Sequence, residues 1–250
     1  MLKVSIITVC YNSSETIENT IQSVVLQNYS NIEYIVVDGL SSDSTLSIVE
    51  KYKNRISKII SEKDNGIYDA INKGIALASG DIVAILHADD FYTNGNVISS
   101  IVNCFEEKKV DAVYGDLQYV ERMDTDKVKR NWVSGAYNRQ NFLKGWMPPH
   151  PSFFVKKEWY DKFGLFNTTL KSAADYELML RFLYKHNCSV AYLPQVLVKM
   201  RVGGKSNISI ANRIKANRED KRAWELNDLK PGAFTFIQKP LSKLGQFFKK

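Results

Sequence analysis

The sequence lacks a hydrophobic run long enough to cross a membrane. Its apolar stretches, at residues 4–9 and 82–86 among others, are far shorter than the roughly 20 residues of a membrane-spanning helix. The first stretch is also too short for the apolar segment of a signal peptide, and the polar residues Asn12, Ser13 and Ser14 follow it. We therefore expect a cytoplasmic protein and interpret both stretches as buried strands.

Cysteine is scarce. The three residues, Cys10, Cys104 and Cys188, are odd in number and widely spaced, and no zinc-binding pattern surrounds them. A disulfide framework is therefore not expected, and this usage favours a reducing compartment. Sequence motifs of the RNP, zinc-finger and helix-turn-helix types are absent too, so we expect no nucleic-acid partner.

Charge is distributed unevenly along the 250 residues. Residues 1–90 carry seven Lys or Arg and twelve Asp or Glu, whereas residues 201–250 carry twelve Lys or Arg and four Asp or Glu. The acidic start fits metal and nucleotide chemistry, and the basic end fits contact with an anionic surface. Because 44% of the residues are hydrophobic, the chain can form a substantial core.

The first 90 residues alternate between strand and helix signals. Strands are predicted at residues 4–9, 32–37, 56–60 and 81–86. Helices are predicted between them: one after an N-cap at Ser13 or Ser14, one at 43–52, and one at 66–78 whose apolar face begins at Ile67. This order predicts a mostly parallel sheet with helices on both faces. Beyond it we predict helices at 97–105 and 173–183, strands at 111–120 and 152–155, a hairpin or loop at 124–132, and stiff non-helical chain at 145–151.

Polar clusters follow the predicted strands, where parallel sheets bind ligands. They are Tyr11-Asn12, Asp38-Gly39 and His87-Ala88-Asp89-Asp90. The adjacent carboxylates of Asp89 and Asp90 repel each other unless a positive charge lies nearby. A hard divalent cation, Mg²⁺ or Mn²⁺, that bridges a carboxylate and a diphosphate would supply this charge. The alternative is a strand-terminating turn with a helix N-cap.

Two other carboxylates lie in predicted turns. Asp38 is suited to accept hydrogen bonds from a nucleobase N–H or a ribose hydroxyl, although turn and cap chemistry is the alternative. Asp64 precedes Asn65-Gly66, a turn ahead of a helix N-terminus that can face a phosphate, and a plain turn explains it equally well.

Asp175 opens the helix predicted at 173–183. The helix dipole alone accounts for an acidic residue there, and the functional alternative is a general base that takes the proton from an attacking hydroxyl. His87 and His150 lie beside the predicted site and are suited to metal or phosphate binding, although His150 is equally well explained as a packed loop residue. His186 is expected to be a solvated cation at a helix end.

These motifs, in this order and spacing, resemble those of family 2 glycosyltransferases. The similar segments are residues 4–12, 37–45, 64–81, 87–89, 149–154 and 174–177, within roughly residues 3–205. The resemblance implies a GT-A fold, an α/β/α sandwich with a mixed, mostly parallel sheet. It also implies inverting transfer of a sugar from a nucleoside-diphosphate sugar to an acceptor hydroxyl, in the synthesis of surface polysaccharide or lipid-linked oligosaccharide.

The resemblance assigns roles to individual residues. Asp38 would recognise the nucleobase of the donor, and Asp89 would bind Mn²⁺ or Mg²⁺. Asp175 would be the general base of the reaction. His87 departs from the family pattern, because it stands at the first Asp of the DxD motif. The other expected contacts are Thr8, Tyr11, Asn12, Asp64, Asn72, His87 and Ala88 on the donor side, and His150, Ser152 and Tyr176 on the acceptor side.

Two alternative functions remain open from the sequence. A nucleotidyltransferase would release pyrophosphate, but no Gly-rich basic loop lies near the N-terminus. A non-catalytic nucleotide-sugar sensor would explain the unusual His87, but retention of Asp38, Asp89 and Asp175 together argues against it.

The expected organisation is a catalytic domain followed by a basic extension. The domain spans residues 1–205, with a nucleotide-binding half at 1–90 and an acceptor half at 91–205, and the helical extension spans 206–250. Near its end, Leu241, Leu244 and Phe248 fall on one helical face. Residues 233–250 are therefore predicted to bind an anionic membrane surface, with packing on the domain as the alternative.

Overall fold

The computed structural model describes residues 1–203, 210–232, 235 and 236, and only the backbone of 210–216. Within these residues nine strands form one sheet: β1 (Val4–Cys10), β2 (Ile32–Asp38), β3 (Lys58–Ser61), β4 (Ile82–Ile85), β5 (Asp90–Tyr92), β6 (Ala112–Val120), β7 (Val128–Trp132), β8 (Phe153–Lys156) and β9 (Val190–Arg201). Neighbouring strands follow the order β3-β2-β1-β4-β8-β6-β9-β5, and β7 pairs with β6 outside this row.

The sheet is mixed. Strand β1 pairs in parallel with β2 and β4, and β2 pairs in parallel with β3. Strand β8 then joins antiparallel to β4, and β6 is antiparallel to β8 but parallel to β9. The two longest ladders, β1–β2 and β6–β9, are both parallel. The carboxyl ends of β1, β2 and β4 therefore lie side by side, next to the start of β8.

Helices cover both faces of the sheet. One face packs against α1 (Ile17–Val25), α2 (Thr45–Lys51) and α4 (Val97–Lys108), and the other packs against α3 (Ile67–Leu77), α5 (Lys157–Phe163) and α6 (Ala174–Met179). Side chains of β1 alternate between the two cores, with Ile6 in the first and Ile7 in the second. Both faces of this strand are therefore buried, which explains why residues 4–9 are mostly apolar and do not alternate with polar residues.

Three local predictions are corrected. Helix α1 has Thr16, and neither Ser13 nor Ser14, at its N-cap position. Ile67 does not face the core but is 46% exposed, at the first position of α3 directly after Gly66. The helix predicted at 173–183 is regular only through Met179 and continues as a π-helical turn at Leu180–Lys185.

Part of the predicted C-terminal extension packs on the rest of the fold. Helix α7 (Ile210–Leu226) lies against α6, and its Trp224 is fully buried. The indole Nε1 of Trp224 donates a hydrogen bond of 2.9 Å to the hydroxyl of Tyr176. Among the described helices, none has the length and apolar character needed to cross a membrane.

Candidate active site

The turns after β1 and β2 meet at the edge of the sheet. A Cβ atom at Gly39 would collide with the carboxylate of Asp64 and would lie 3.5 Å from the ring of Tyr11, so with any other residue at this position the Asp64 carboxylate would have to move. The other carboxylate oxygen of Asp64 accepts a hydrogen bond of 2.9 Å from the backbone N–H of Gly66. Tyr11 remains 52% exposed beside these groups. The structure thus brings two of the predicted donor-side residues, Tyr11 and Asp64, together beside Gly39.

Asp38 is completely buried at the end of β2. Its carboxylate accepts hydrogen bonds from the backbone N–H of Ser41 at 3.0 Å, from the Ser41 hydroxyl, and from the Ser61 hydroxyl at 2.7 Å. Asn12 holds the same loop, because its side-chain oxygen accepts a 2.9 Å hydrogen bond from the N–H of Ser42. Asp38 therefore holds the turn after β2 in place, and a direct hydrogen bond from a nucleobase to Asp38 stays a prediction.

The loop that follows β4 is fixed by two residues that the sequence analysis missed. The Thr20 hydroxyl on α1 lies 3.0 Å from the backbone oxygen of Ala88 and 2.7 Å from that of Asp90. The guanidinium of Arg201, at the end of β9, donates a 2.7 Å hydrogen bond to the backbone oxygen of Asp89. Arg201 is also the positive charge that the paired carboxylates require, and this requirement is the signal that could have revealed it.

The two neighbouring carboxyl groups differ in their surroundings. Asp90 is completely buried, and within the described part of the chain neither of its carboxyl oxygens has a hydrogen-bond partner. Burial, with the nearby charge of Asp89, raises the pKa of Asp90 well above its ordinary value despite the opposing effect of Arg201. The side chain of Asp89 is partly exposed. Asp89 is therefore the carboxylate available to a ligand.

A row of side chains connects this loop to α6. The rings of His87 and His150 lie 5.4 Å apart, and Nδ1 of His150 lies 3.2 Å from Oδ2 of Asp175. The Tyr68 hydroxyl on α3 donates a 3.4 Å hydrogen bond to Oδ1 of the same carboxylate. Burial, assisted by His150, lowers the pKa of His87 to about 4, so its imidazole is neutral at pH 7. The row therefore connects the loop after β4, through two imidazoles, to a partly exposed carboxylate on α6.

Four other predicted contacts are used inside the fold. The Thr8 hydroxyl is buried and accepts a hydrogen bond from Tyr34. The side-chain amide of Asn72 donates a hydrogen bond to the backbone oxygen of Phe166 and accepts one from its backbone N–H. Ser152 is buried and donates to backbone oxygens, and Tyr176 is buried with its hydroxyl against Trp224. These hydrogen bonds hold Thr8, Asn72, Ser152 and Tyr176 within the fold, and their contact with substrate stays a prediction. Ala88 is also buried and contributes mainly backbone.

Residues 5–164 match Glycosyl transferase family 2. The chain belongs to this family. It is a glycosyltransferase that takes its sugar from a nucleotide-sugar donor. The GT-A fold and the enzyme class expected from the motifs are confirmed.

Relatives of this family 2 glycosyltransferase include bacterial sugar-transfer enzymes. An uncharacterized glycosyltransferase of Mycobacterium tuberculosis is 32% identical over 183 residues, which cover 71% of this chain and 68% of the relative. The Escherichia coli enzyme WfaP, named as a UDP-Glc:alpha-D-GlcNAc-diphosphoundecaprenol beta-1,3-glucosyltransferase, is 37% identical over 122 residues, 48% of this chain and 47% of its own.

Two solved structures share the fold. Residues 1–349 of Staphylococcus aureus TarS, in complex with UDP-GlcNAc, match with a TM-score of 0.72 and 20% identity, over 90% of this chain and 65% of that one. The mannosyltransferase PcManGT of Pyrobaculum calidifontis, in complex with GDP-Man and Mn²⁺, matches with a TM-score of 0.67 and 22% identity. The match covers 97% of this chain and 70% of that one.

Within the described residues, the side chains of the glycosyltransferase do not form a complete metal site by themselves. Among the described residues, no group of three or more His, Cys, Asp or Glu side chains is arranged to hold a metal ion. A single carboxylate at Asp89 still fits a cation such as Mg²⁺, which keeps several waters and commonly binds one or two carboxylates together with substrate phosphates. Nearby, Nδ1 of His87 is buried without a hydrogen-bond partner in the described part of the chain, so it is free for a polar ligand group.

Proposed function

We propose that this family 2 glycosyltransferase transfers a sugar, with inversion, from a nucleoside-diphosphate sugar to a hydroxyl of a glycan or lipid-linked acceptor. The observation that carries the proposal is the row of His87, His150 and Asp175, because it connects the carboxylate loop after β4 to an ionisable group across the crevice. The nucleotide-binding half at 1–90 and the acceptor half at 91–205 of a 1–205 catalytic domain remain part of this proposal.

The donor side is proposed to lie over the turns after β1, β2 and β4. Tyr11, Asp64 and the Asp38-Gly39 turn enclose the nucleoside, and Asp89 faces the diphosphate. Mg²⁺ or Mn²⁺ bound at Asp89 would neutralise the diphosphate as it leaves. The Mn²⁺ in the PcManGT complex, which also contains GDP-Man, supports this assignment. His87, as a neutral imidazole, is suited to a hydrogen bond with a ribose hydroxyl.

The acceptor side is proposed to lie between His150 and Asp175. The carboxylate of Asp175 is part of the general base, which takes the proton from the acceptor hydroxyl. The acceptor oxygen then attacks the anomeric carbon from the face opposite the diphosphate, and one displacement inverts the configuration. No covalent intermediate is required, so no second carboxylate has to flank the sugar.

A surface polysaccharide or lipid-linked oligosaccharide is the proposed product. The name of WfaP specifies a diphosphoundecaprenol-linked GlcNAc as acceptor, and TarS was crystallised with UDP-GlcNAc. UDP sugars, in particular UDP-glucose and UDP-GlcNAc, are therefore the first donors to examine, with GDP-mannose next.

A thermal-shift screen with Mn²⁺ tests the proposal. We expect one family of nucleoside diphosphates and its sugars to raise the melting temperature, because a ligand at 100 times its Kd adds about 2.7 kcal/mol of stability. The stabilising sugar is then assayed for release of nucleoside diphosphate. Pyrophosphate release would instead indicate a nucleotidyltransferase, and binding without any turnover would indicate a sensor.

Binding of the C-terminal segment to an anionic membrane surface is a separate proposal. Most of residues 233–250 lie outside the described residues, including the predicted amphipathic helix. The described Thr235 hydroxyl donates a 2.5 Å hydrogen bond to the backbone oxygen of Leu143, and Phe236 packs on the core. The segment that remains to contact a membrane is therefore 237–250, which contains four lysines.

We expect full-length protein to co-sediment weakly with vesicles that contain anionic lipid, and to lose this binding as salt is added. Each lysine near an anionic leaflet contributes about 1 kcal/mol. A truncation after Phe236 keeps the packed residues and is expected to stay in the supernatant, as is full-length protein with neutral vesicles. Equal sedimentation of both proteins would contradict the assignment of binding to 237–250.

A further inference from the structure

The carboxylate of Asp175 is already occupied by neighbouring side chains. Its Oδ1 accepts a hydrogen bond from the Tyr68 hydroxyl at 3.4 Å, and its Oδ2 lies 3.2 Å from Nδ1 of His150. The side chain of Asp175 is 19% exposed, whereas that of His150 is 31% exposed. Of the two groups, the imidazole is therefore the more accessible to an acceptor that enters the crevice.

His150 is held on a stiff turn between Pro149 and Pro151. The buried Ser152 hydroxyl lies 2.9 Å from the backbone oxygen of Gly115 and 3.1 Å from that of Pro149, and the Ser152 N–H donates to Pro149 as well. The turn is thus fastened to the neighbouring strand β6. A ring on such a turn has little conformational freedom to lose when an acceptor binds.

The two ring nitrogens of His150 have different surroundings. Nδ1 faces the Asp175 carboxylate, and no described residue forms a hydrogen bond with Nε2. A carboxylate beside Nδ1 keeps the hydrogen on that nitrogen, so Nε2 carries the lone pair. Catalytic hydrogen bonds are often long before the substrate binds and shorten in the reactive complex, which fits the 3.2 Å separation.

We propose that Nε2 of His150 is the atom that accepts the acceptor's proton, while Asp175 positions the imidazole and balances its charge. This inference rests on the proposed function and specifies its general base. The acceptor O–H bond breaks and its proton moves to Nε2. The oxygen forms a bond to the anomeric carbon, and the bond from that carbon to the phosphate oxygen breaks, with its electron pair leaving on the nucleoside diphosphate.

Physical chemistry favours this division of roles. Imidazole is in general a stronger base than a carboxylate, and the cation that forms when it accepts a proton would lie beside the carboxylate of Asp175. Tyr68 keeps its own proton, because burial and the charge of Asp175 raise the pKa of its hydroxyl. It therefore remains a donor that fixes the orientation of the carboxylate.

The substitution His150→Asn separates the two possibilities. An Asn amide can still donate to Asp175 in place of Nδ1, but it has no basic nitrogen. The assay measures release of nucleoside diphosphate, with water or a short polyprenyl-diphosphate-linked GlcNAc as the acceptor. We expect kcat to fall at least 100-fold, with little change in the KM for the donor. In His150→Gly, added imidazole should restore part of the rate. His186→Asn, in a histidine that stacks on Phe163, is the matched control.

The possible outcomes are distinct. If His150→Asn retains a rate within a few-fold of the wild type while Asp175→Asn is inactive, Asp175 takes the proton directly and this inference is overturned. A melting temperature equal to that of the wild type excludes misfolding, and failure of imidazole to restore any rate to a folded His150→Gly also counts against the inference. If the wild-type protein neither binds nor turns over any nucleotide sugar, the proposed function fails, and the assignment of the proton acceptor fails with it.

Discussion

Asp89→Asn is expected to lower the rate of sugar transfer by two orders of magnitude or more while the protein stays folded. The substitution keeps the volume of the side chain but removes the negative charge that a hard cation needs. A loss of 100-fold corresponds to about 2.7 kcal/mol of transition-state stabilisation. No other carboxylate in the loop replaces it, because Asp90 is completely buried and burial raises its pKa. The measurement is kcat at saturating donor over a titration of Mn²⁺ and Mg²⁺.

A matched control is available on the same strand. Asp81 is an exposed carboxylate directly before β4, at the end opposite Asp89, and it accepts a 2.7 Å hydrogen bond from the backbone N–H of Lys3. Asp81→Asn should retain full activity and full sensitivity to EDTA. Near-normal, EDTA-insensitive turnover of Asp89→Asn would remove the metal assignment, whatever the control shows.

The fold could be predicted largely from the sequence, because its signals are local. The run of apolar residues in β1 indicates a strand buried on both faces, and the glycine and polar residues that follow β2 and β4 mark the strand ends. Parallel strands place their carboxyl ends at one edge, so Tyr11, Asp38 and Asp89 were expected at a common site. The structure places all three at that edge.

Two of the predicted contacts have side chains that point into the fold. Thr8 lies two residues from Cys10 and from Ile6 on β1, so it shares their buried face. Tyr176 follows Asp175 on α6, where adjacent residues point about 100° apart. If Asp175 faces the crevice, Tyr176 turns toward the core, where it meets Trp224. These two outcomes follow from the periodicity of a strand and a helix and could have been anticipated.

Other parts of the site depend on contacts between distant residues. Arg201 lies 112 positions after Asp89 along the chain, and Tyr68 lies 107 positions before Asp175. The order of the strands in the sheet and the positions of the connecting helices determine such pairs, and no local sequence pattern predicts them. The acidic pair at Asp89 and Asp90 does require a nearby cation, but the sequence offers 34 Lys and Arg residues for that place. Only the sheet order, with β9 next to β5, selects Arg201.

Asp175→Asn is expected to lower kcat by ~10²- to 10⁴-fold, the range for general acid–base groups, with little change in donor affinity. The carboxylate contacts His150 and Tyr68, which belong to the proposed acceptor side, so the nucleotide should still bind. Donor affinity is read from the thermal shift with nucleoside diphosphate, and kcat from its release. Asp161→Asn, at an exposed carboxylate paired with Lys157 on α5, is the control for loss of one negative charge.

Combining Asp175→Asn with His150→Asn shows whether the two residues act as one unit. Residues that share a single catalytic step are strongly non-additive, so the double variant should be about as slow as the slower single variant. Losses that multiply would mean that His150 and Asp175 serve separate steps. If nucleotide affinity collapses in Asp175→Asn while kcat survives, the carboxylate belongs to the donor site or to the structure. In that case the proton acceptor must be sought elsewhere in the crevice.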